Sequence, residues 1–395
     1  MAVLKDIRVI EITQGLSGPY CGMILGDMGA EIIKIELPEV GDDSRAFGPF
    51  INEESAYFIS VNRNKKSVTL DLRQHEGVEV LKKLVKLADI VIDNYKPDVL
   101  NHLGVGYEHL KLINEKIIYC GITGYGQEGP YKKKPAYDAV IQAMSGMMSV
   151  TGEATGNPIR VGAPIGDMTA ALYGVIGILG ALHQREKTQQ GKMVDISILD
   201  SQVSILENPI MRYSLTGEKP EKMGNQHPSI TPFETFMTRD GEIMVAIGNN
   251  RMWVSFCKLI NKHEWINDYR FSTNKKRLHY YHELKPLLNK VFIQNTTREW
   301  QILLDENKIA NSPIHSIDEL LDNEQVKYRK TIVDTPYMNG TNILKVPNTP
   351  IRYKEDPLDI NVKAPKLGQD TNTVLKDYLN FNQKQIEELI KKGII

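Results

Sequence analysis

An aspartate stands at the end of "PIGD" (164–167), directly before "MTAALYGVIGILGAL" (168–182), a run without a charged side chain. An Asp there can cap a helix by accepting a backbone N–H bond. It can also serve as a reacting carboxylate at the positive end of the helix dipole. The two roles are compatible, and Asp167 heads a helix in either. A second stretch with chemical potential is "GYGQEGPYKKKPAYDA" (124–139), a glycine turn followed by Lys132, Lys133 and Lys134 and then by Tyr137 and Asp138. Its G-x-G-x-x-G pattern is shared with dinucleotide-binding turns, but those open a helix across the glycines, and here Pro130 follows at once. The glycines therefore predict a loop at the C-terminal edge of a strand, where open α/β sheets bind ligands. "NRNKKSVTLDLR" (62–73) and "DNYKPDVLNHLG" (93–104) carry further basic and polar side chains. Ammonium groups act as point charges toward phosphate, so the three segments together predict one groove for an elongated, phosphate-bearing ligand. His-x-x-x-His, Gly-x-Ser-x-Gly and zinc-type cysteine spacings are missing from the sequence, which argues against metal hydrolysis and serine esterase chemistry.

The elements that must hold these residues can be read from hydrophobic period. "IRVIEIT" (7–13) predicts a buried strand, "QGLSGP" a turn, about 19–28 a helix and "EIIKIE" (31–36) a second strand. "SVTLDL" (67–72), "DIVIDNY" (89–95), "KIIYCGITGYG" (116–126) and "GKMVDISIL" (191–199) continue the pattern, with a helix near 74–87. Met168, Leu172, Val175, Leu179 and Leu182 recur at helical intervals, and the apolar character extends around the helix, so it is predicted to be buried on all sides. Gly174, Gly177 and Gly180 fall three apart along it. Each costs about 1 kcal/mol relative to alanine in a helix interior, so close packing along that stripe is expected. Alternating strands and helices give an α/β fold with a parallel sheet. From about 225 the pattern changes: "ETFMTRDGEIMVAIG" (234–248) predicts a hairpin around Asp–Gly, and polar helices follow to about 310. The organisation predicted is a large α/β domain, 1–224 with 326–395, and a smaller α+β domain, 225–325.

The chain has 395 residues, a net charge of −1 and 41% hydrophobic residues, so no global field attracts nucleic acid or a membrane surface. Cys21, Cys120 and Cys257 are far apart, consistent with a reducing cytoplasm and with no metal or disulfide framework. The opening "MAVLKDIRVIEIT" lacks the pattern of a signal peptide. The apolar run 170–182 is short and glycine-rich for a bilayer span.

Taken in order, "SGPYC", "GAEIIKIE", "NRNKKSVTLDL", "DNYKPDVLNHLG", "GYGQEGPY", "AYDAVIQAMSG", "PIGDMTAALYG" and "GNQHPSITPF" resemble the class III CoA-transferases, the formyl-CoA and carnitine CoA-transferase family. The resemblance runs over about residues 4–250 and more thinly beyond. It implies a Rossmann-like large domain, a smaller α+β domain, and two chains interlocked as a homodimer. It implies that Asp167 is the nucleophile, held ionised at the helix N-terminus, and that coenzyme A enters as part of an acyl-CoA substrate, with no prosthetic group and no metal. Carried over residue by residue, the CoA contacts are Leu16, Ser17, Leu70, Arg73, Asn94, Tyr95, Lys96, His102, Tyr137 and Asp138. Gly224, Asn225 and Gln226 match a glycine-rich loop that covers intermediates and can offer backbone N–H groups to an oxyanion. Leu37 stands where some relatives carry a basic residue near the adenosine phosphates, and Arg45 or Lys132–Lys134 are candidates to compensate. The partners implied are an acyl-CoA and a free carboxylic acid. The α-methylacyl-CoA racemases share the fold and are the alternative. They place a histidine where this chain has Tyr137, and a phenol with a reference pKa near 10 is a poor base at neutral pH.

Overall fold

The computed structural model describes residues 2–337, 342–354, 358 and 363–395. By its internal contacts the chain forms two compact units, one of residues 1–147, 160–215 and 328–395 and one of 148–159 and 216–327.

The first unit is built on six parallel strands: Arg8–Ile12 (β1), Glu31–Glu36 (β2), Lys65–Thr69 (β3), Ile90–Asp93 (β4), Ile118–Thr123 (β5) and Met193–Ser197 (β6). Their spatial order is β3-β2-β1-β4-β5-β6, and every neighbouring pair is parallel. Successive residues of a strand point to opposite faces, and here both faces are apolar. Ile10, Ile33, Val91 and Tyr119 enter one core, together with Leu81 of the helix His75–Val85 and Leu375 of the helix Thr371–Leu379. Their neighbours Val9, Ile32, Ile90 and Ile118 enter the other, against Leu25, Ala171 and Ile178. A sheet covered on both faces explains why these strands read as continuous runs of branched residues rather than as alternating ones. The parallel α/β architecture expected from the sequence is present. The third strand starts two residues before its predicted beginning and ends at Thr69, so Leu70 and Asp71 lie in the turn beyond it.

The helices that matter for the site are Ser17–Asp27 (α1), Asp138–Ser145 (α2) and Ile165–Thr188 (α3). Along α3, a Cβ on Gly174 would meet Cys21 Sγ at 3.2 Å, and one on Gly177 would meet Val194 at 2.5 Å. Close packing accounts for those two glycines, whereas a Cβ on Gly180 meets nothing within 4 Å. The prediction of all-round burial is corrected in the same place, because Leu172, Tyr173 and Ile176 are exposed. By length and composition α3 could cross a membrane, yet half of its most apolar window is buried.

The second unit carries an antiparallel sheet of Phe233–Met237, Glu242–Ala246 and Ala310–Pro313. The first two strands form the hairpin predicted around Asp240–Gly241. Trp253, Phe256, Phe292 and Trp300 fill the core of this unit, so it is a small α+β body with its own apolar centre.

Candidate active site

The chain runs outward from β1 through β2 to β3, then returns to β4 and continues to β6 on the other side. Such a reversal opens a crevice beyond the C-terminal ends of β1 and β4. Two loops meet there. Asn94, which follows β4, accepts a hydrogen bond from Gln14 N at 2.8 Å and donates one to Gln14 O at 2.7 Å. Gln14 Nε2 donates to Tyr95 Oη at 2.9 Å. The "GYGQEG" loop follows β5, with Gly126 and Gly129 at positive φ and no helix before Asp138, which agrees with the loop reading of these glycines. A cleft of about 350 Å³ lies among these loops. It is lined by Leu16, Ser17, Asn94, Tyr95, Lys96, Tyr137 and Asp167, together with Lys132 and Lys134.

Asp167 is the third residue of α3, and Pro164 occupies the N-cap without a side-chain cap. The capping alternative for Asp167 is thereby corrected. The exposed helix N–H groups are instead met from another element: Asp138 Oδ1 accepts from Gly166 N at 2.7 Å and from Asp167 N at 3.2 Å. Asp138 Oδ2 accepts from Gln142 Nε2 at 2.6 Å, and Gln142 Oε1 accepts from Val161 N at 2.8 Å. Asp138 and Gln142 thus pin both ends of the turn 161–167 that delivers Asp167. Gly166 permits this closeness, since a Cβ there would lie 2.9 Å from Asp138 Oδ1.

The electrostatics correct a second expectation. Burial, with the Asp138 carboxylate second, pushes the Asp167 carboxyl up to about 7. The helix terminus does not hold it at an ordinary carboxylate pKa. A carboxyl that titrates near neutrality, half-buried in a cleft, is a functional-site signature. A carboxylate freed of its water shell and oriented toward a cleft can attack a carbonyl carbon.

Leu70, Arg73 and His102 do not line this cleft. Leu70 is buried in the core. Arg73 forms an ion pair with Asp71 at 2.8 Å and lines a second cavity of about 610 Å³ with Leu37, Thr69 and Thr371. His102 ends a short helix, its Nδ1 2.5 Å from Asp98 O. Gly224, Asn225 and Gln226 belong to the second unit, where Gly224 N donates to Gly152 O at 2.9 Å and Asn225 Nδ2 donates to Thr235 Oγ1 at 3.2 Å.

Of the basic segments, "NRNKK" does not supply free charge. Arg63 pairs with Asp27 at 2.6 Å, Lys65 with Glu11 at 2.9 Å and Lys66 with Glu31 at 2.5 Å. Arg45 is likewise committed, forked onto Glu36 at 2.7 Å through both Nε and Nη2 and stacked 3.6 Å from the Phe58 ring centroid. Lys96, Lys132 and Lys134 form the cationic wall of the cleft, with Lys132 at 3.4 Å from Asp98. Sequence reasoning missed Glu11, Lys34 and Asp42, which form buried ion pairs behind the first loop. Their signal was available: a lysine in the middle of "EIIKIE", on a strand apolar on both faces, needs a buried partner.

Among the described residues, no group of three or more His, Cys, Asp or Glu side chains is arranged to hold a metal ion. The sequence profile of CoA-transferase family III matches residues 4–371. A succinyl-CoA:glutarate CoA-transferase of Mus musculus is 37% identical over 398 residues, covering 100% of this chain and 91% of that protein. A succinate–glutarate CoA-transferase of Agrobacterium fabrum is 38% identical, covering 95% of each. The crystal structure of a CAIB/BAIF family protein from Brucella suis superposes with a TM-score of 0.84 at 35% identity, covering 95% of this chain and 99% of that one. The chain belongs to CoA-transferase family III and is a CoA-transferase.

Proposed function

We propose that this family III enzyme moves coenzyme A between dicarboxylic acids, with succinyl-CoA as a donor and a glutarate-like acid as acceptor, through covalent intermediates on Asp167. The observation that carries the reading is the placement of Asp167: a half-buried carboxylate, fixed through its backbone by Asp138, in a cleft walled by lysines. The acids are suggested by the relatives that transfer CoA between succinate and glutarate.

The Asp167 carboxylate attacks the thioester carbonyl, the C–S bond breaks, and CoA leaves as thiolate with a mixed anhydride behind it. The thiolate attacks the aspartyl carbonyl and releases the first acid as carboxylate. The incoming carboxylate displaces CoA from the aspartyl thioester, and the thiolate then attacks the new acyl carbonyl, restoring Asp167. Each step exchanges one acyl bond for another, so the protein contributes mainly orientation, for which roughly 7–11 kcal/mol is available. The Gly166 and Asp167 N–H groups are taken by Asp138, so the oxyanion donors have to come from elsewhere. The family resemblance offers Gly224–Gln226, as the cover over the intermediates. Resemblance also suggests that the nucleotide end of CoA meets Arg73, and that the enzyme works in the cytoplasm as an interlocked homodimer. Exposed Leu172, Ile176, Met211 and Leu215 support burial against a second copy.

The test is intact-mass spectrometry after mixing with succinyl-CoA and quenching with hydroxylamine. Donor-dependent hydroxamate at Asp167, absent from Asp167→Ala, is the expected result. Full transfer activity in Asp167→Ala would overturn the mechanism, and transfer restricted to monocarboxylates would overturn the substrate class.

A further inference from the structure

Behind the cleft lies a set of four charged side chains with no exposure at all: Glu11, Lys34, Lys65 and, joined through Lys34, Asp42. Lys34 Nζ lies 3.0 Å from Glu11 Oε1 and 2.8 Å from Asp42 Oδ2, and Lys65 Nζ lies 2.9 Å from Glu11 Oε2. Buried ion pairs are weak contributors to stability, because desolvation cancels most of their attraction, and apolar residues of similar volume often serve the fold as well. A cluster of this kind therefore calls for another use.

Its remaining hydrogen bonds show one. Lys34 Nζ donates to Thr13 O at 2.9 Å, Gly15 N donates to Asp42 Oδ1 at 3.0 Å, and Lys65 Nζ donates to Pro19 O at 2.8 Å. All three backbone atoms belong to one seven-residue segment, 13–19, and its middle, Gln14–Ser17, is a wall of the Asp167 cleft. The helix that leaves this segment is shaped to admit the cluster. A Cβ on Gly22 would lie 1.9 Å from Glu11 Oε2.

The geometry points to Lys34, Asp42 and Lys65 as positioning residues that set, for acyl-CoA, the conformation of the loop 13–16 and of the first turn of α1 that continues it. They touch no substrate and act through the backbone they hold. The inference rests on the reading that the cleft takes the CoA thioester. Asp42 gives the sharpest handle, since it anchors Gly15 and also accepts from Ser44 N at 2.8 Å, tying the loop to the segment after β2.

The experiment compares the affinity for CoA, by calorimetry, of the wild-type protein, Asp42→Ala, Asp42→Asn and Lys65→Met, with steady-state kinetics and thermal melts on each. Asp42→Ala and Lys65→Met are expected to weaken CoA binding tenfold or more and to raise the KM for acyl-CoA to match, with kcat at saturation within about threefold. Asp42→Asn keeps an acceptor oxygen for Gly15 but loses the ion pair with Lys34, and its affinity is expected to lie between those of Asp42→Ala and the wild type. Unchanged affinity in folded Asp42→Ala, whatever its melting temperature, would overturn the inference. If Lys65→Met does not fold, the Asp42 pair decides alone. Failure of the transferase reading would appear separately, as a wild-type protein that binds CoA without labelling Asp167.

Discussion

Replacing Asp138 by asparagine separates the charge of this residue from its bonds to the turn that bears Asp167, the nucleophile we propose. The amide keeps an acceptor oxygen for Gly166 N and Asp167 N, now met at 2.7 and 3.2 Å, and removes the charge together with the acceptor for Gln142 Nε2. Asp167 is raised from 3.8 to about 7, with burial the larger cause and the Asp138 carboxylate the smaller. At 1.36 kcal/mol per unit the whole shift is roughly 4 kcal/mol. The smaller of two causes that act in the same direction supplies less than half of it, so losing the Asp138 charge is worth at most about 2 kcal/mol, and about one pKa unit is the expected movement. The assay is kcat/KM for succinyl-CoA from about pH 5 to about pH 9. In the wild type the value falls about tenfold per unit below a midpoint near 7, as Asp167 takes up a proton. In Asp138→Asn the midpoint is expected about one unit lower, so that near pH 6 the variant loses less of its own maximum than the wild type does. An unmoved midpoint, in a variant whose Asp167 is still trapped by hydroxylamine, would refute the electrostatic argument.

Further outcomes follow from the same geometry. Asp93 is fully buried at the end of β4, and burial raises its carboxyl to about 7 despite bonds from the Tyr119 hydroxyl and Tyr95 N. A carboxyl whose folded pKa lies above its unfolded value lends stability that is complete below about 3.9 and is lost as pH rises through the folded pKa. Chemical denaturation of Asp93→Asn and of the wild type across about pH 4 to pH 7 should therefore show the stability difference shifting in favour of the variant as pH rises, by on the order of 4 kcal/mol at most. Gly177→Ala drives a methyl against Val194 and should cost about 1–3 kcal/mol by denaturant titration, while Gly180→Ala, which meets nothing within 4 Å, should cost nothing and gain up to about 1 kcal/mol. The double variant Lys132→Ala/Lys134→Ala should raise the KM for acyl-CoA severalfold with kcat little changed, and the difference should shrink as salt is added, since exposed charges are screened within about 10 Å at 0.1 M salt.

The sheet was legible because its strands are buried on both faces, so that "IRVIEI", "EIIKIE" and "DIVID" could hardly be anything else. Asp167 was legible as the head of a helix, and the absence of a helix across Gly124–Gly129 followed from Pro130. The cap was not legible. Asp138 serves a helix that starts 27 residues later, and a bond between side chain and distant backbone leaves no local pattern. The basic segments misled for a related reason. Arg63, Lys65 and Lys66 look like a phosphate-binding wall when read alone, and only the fold brings Asp27, Glu11 and Glu31 to meet them. Composition reports the charges, whereas partnership is a property of three dimensions.

The cap supplied from outside its own helix has a consequence for when the protein becomes reactive. A side chain of one helix, α2, must reach the first turn of another, α3, before the turn that bears Asp167 is fixed. Secondary structure alone does not complete that join, so a nascent or partly opened chain has the carboxylate but not its alignment. On the proposed mechanism, competence to attack a thioester is acquired only with tertiary closure.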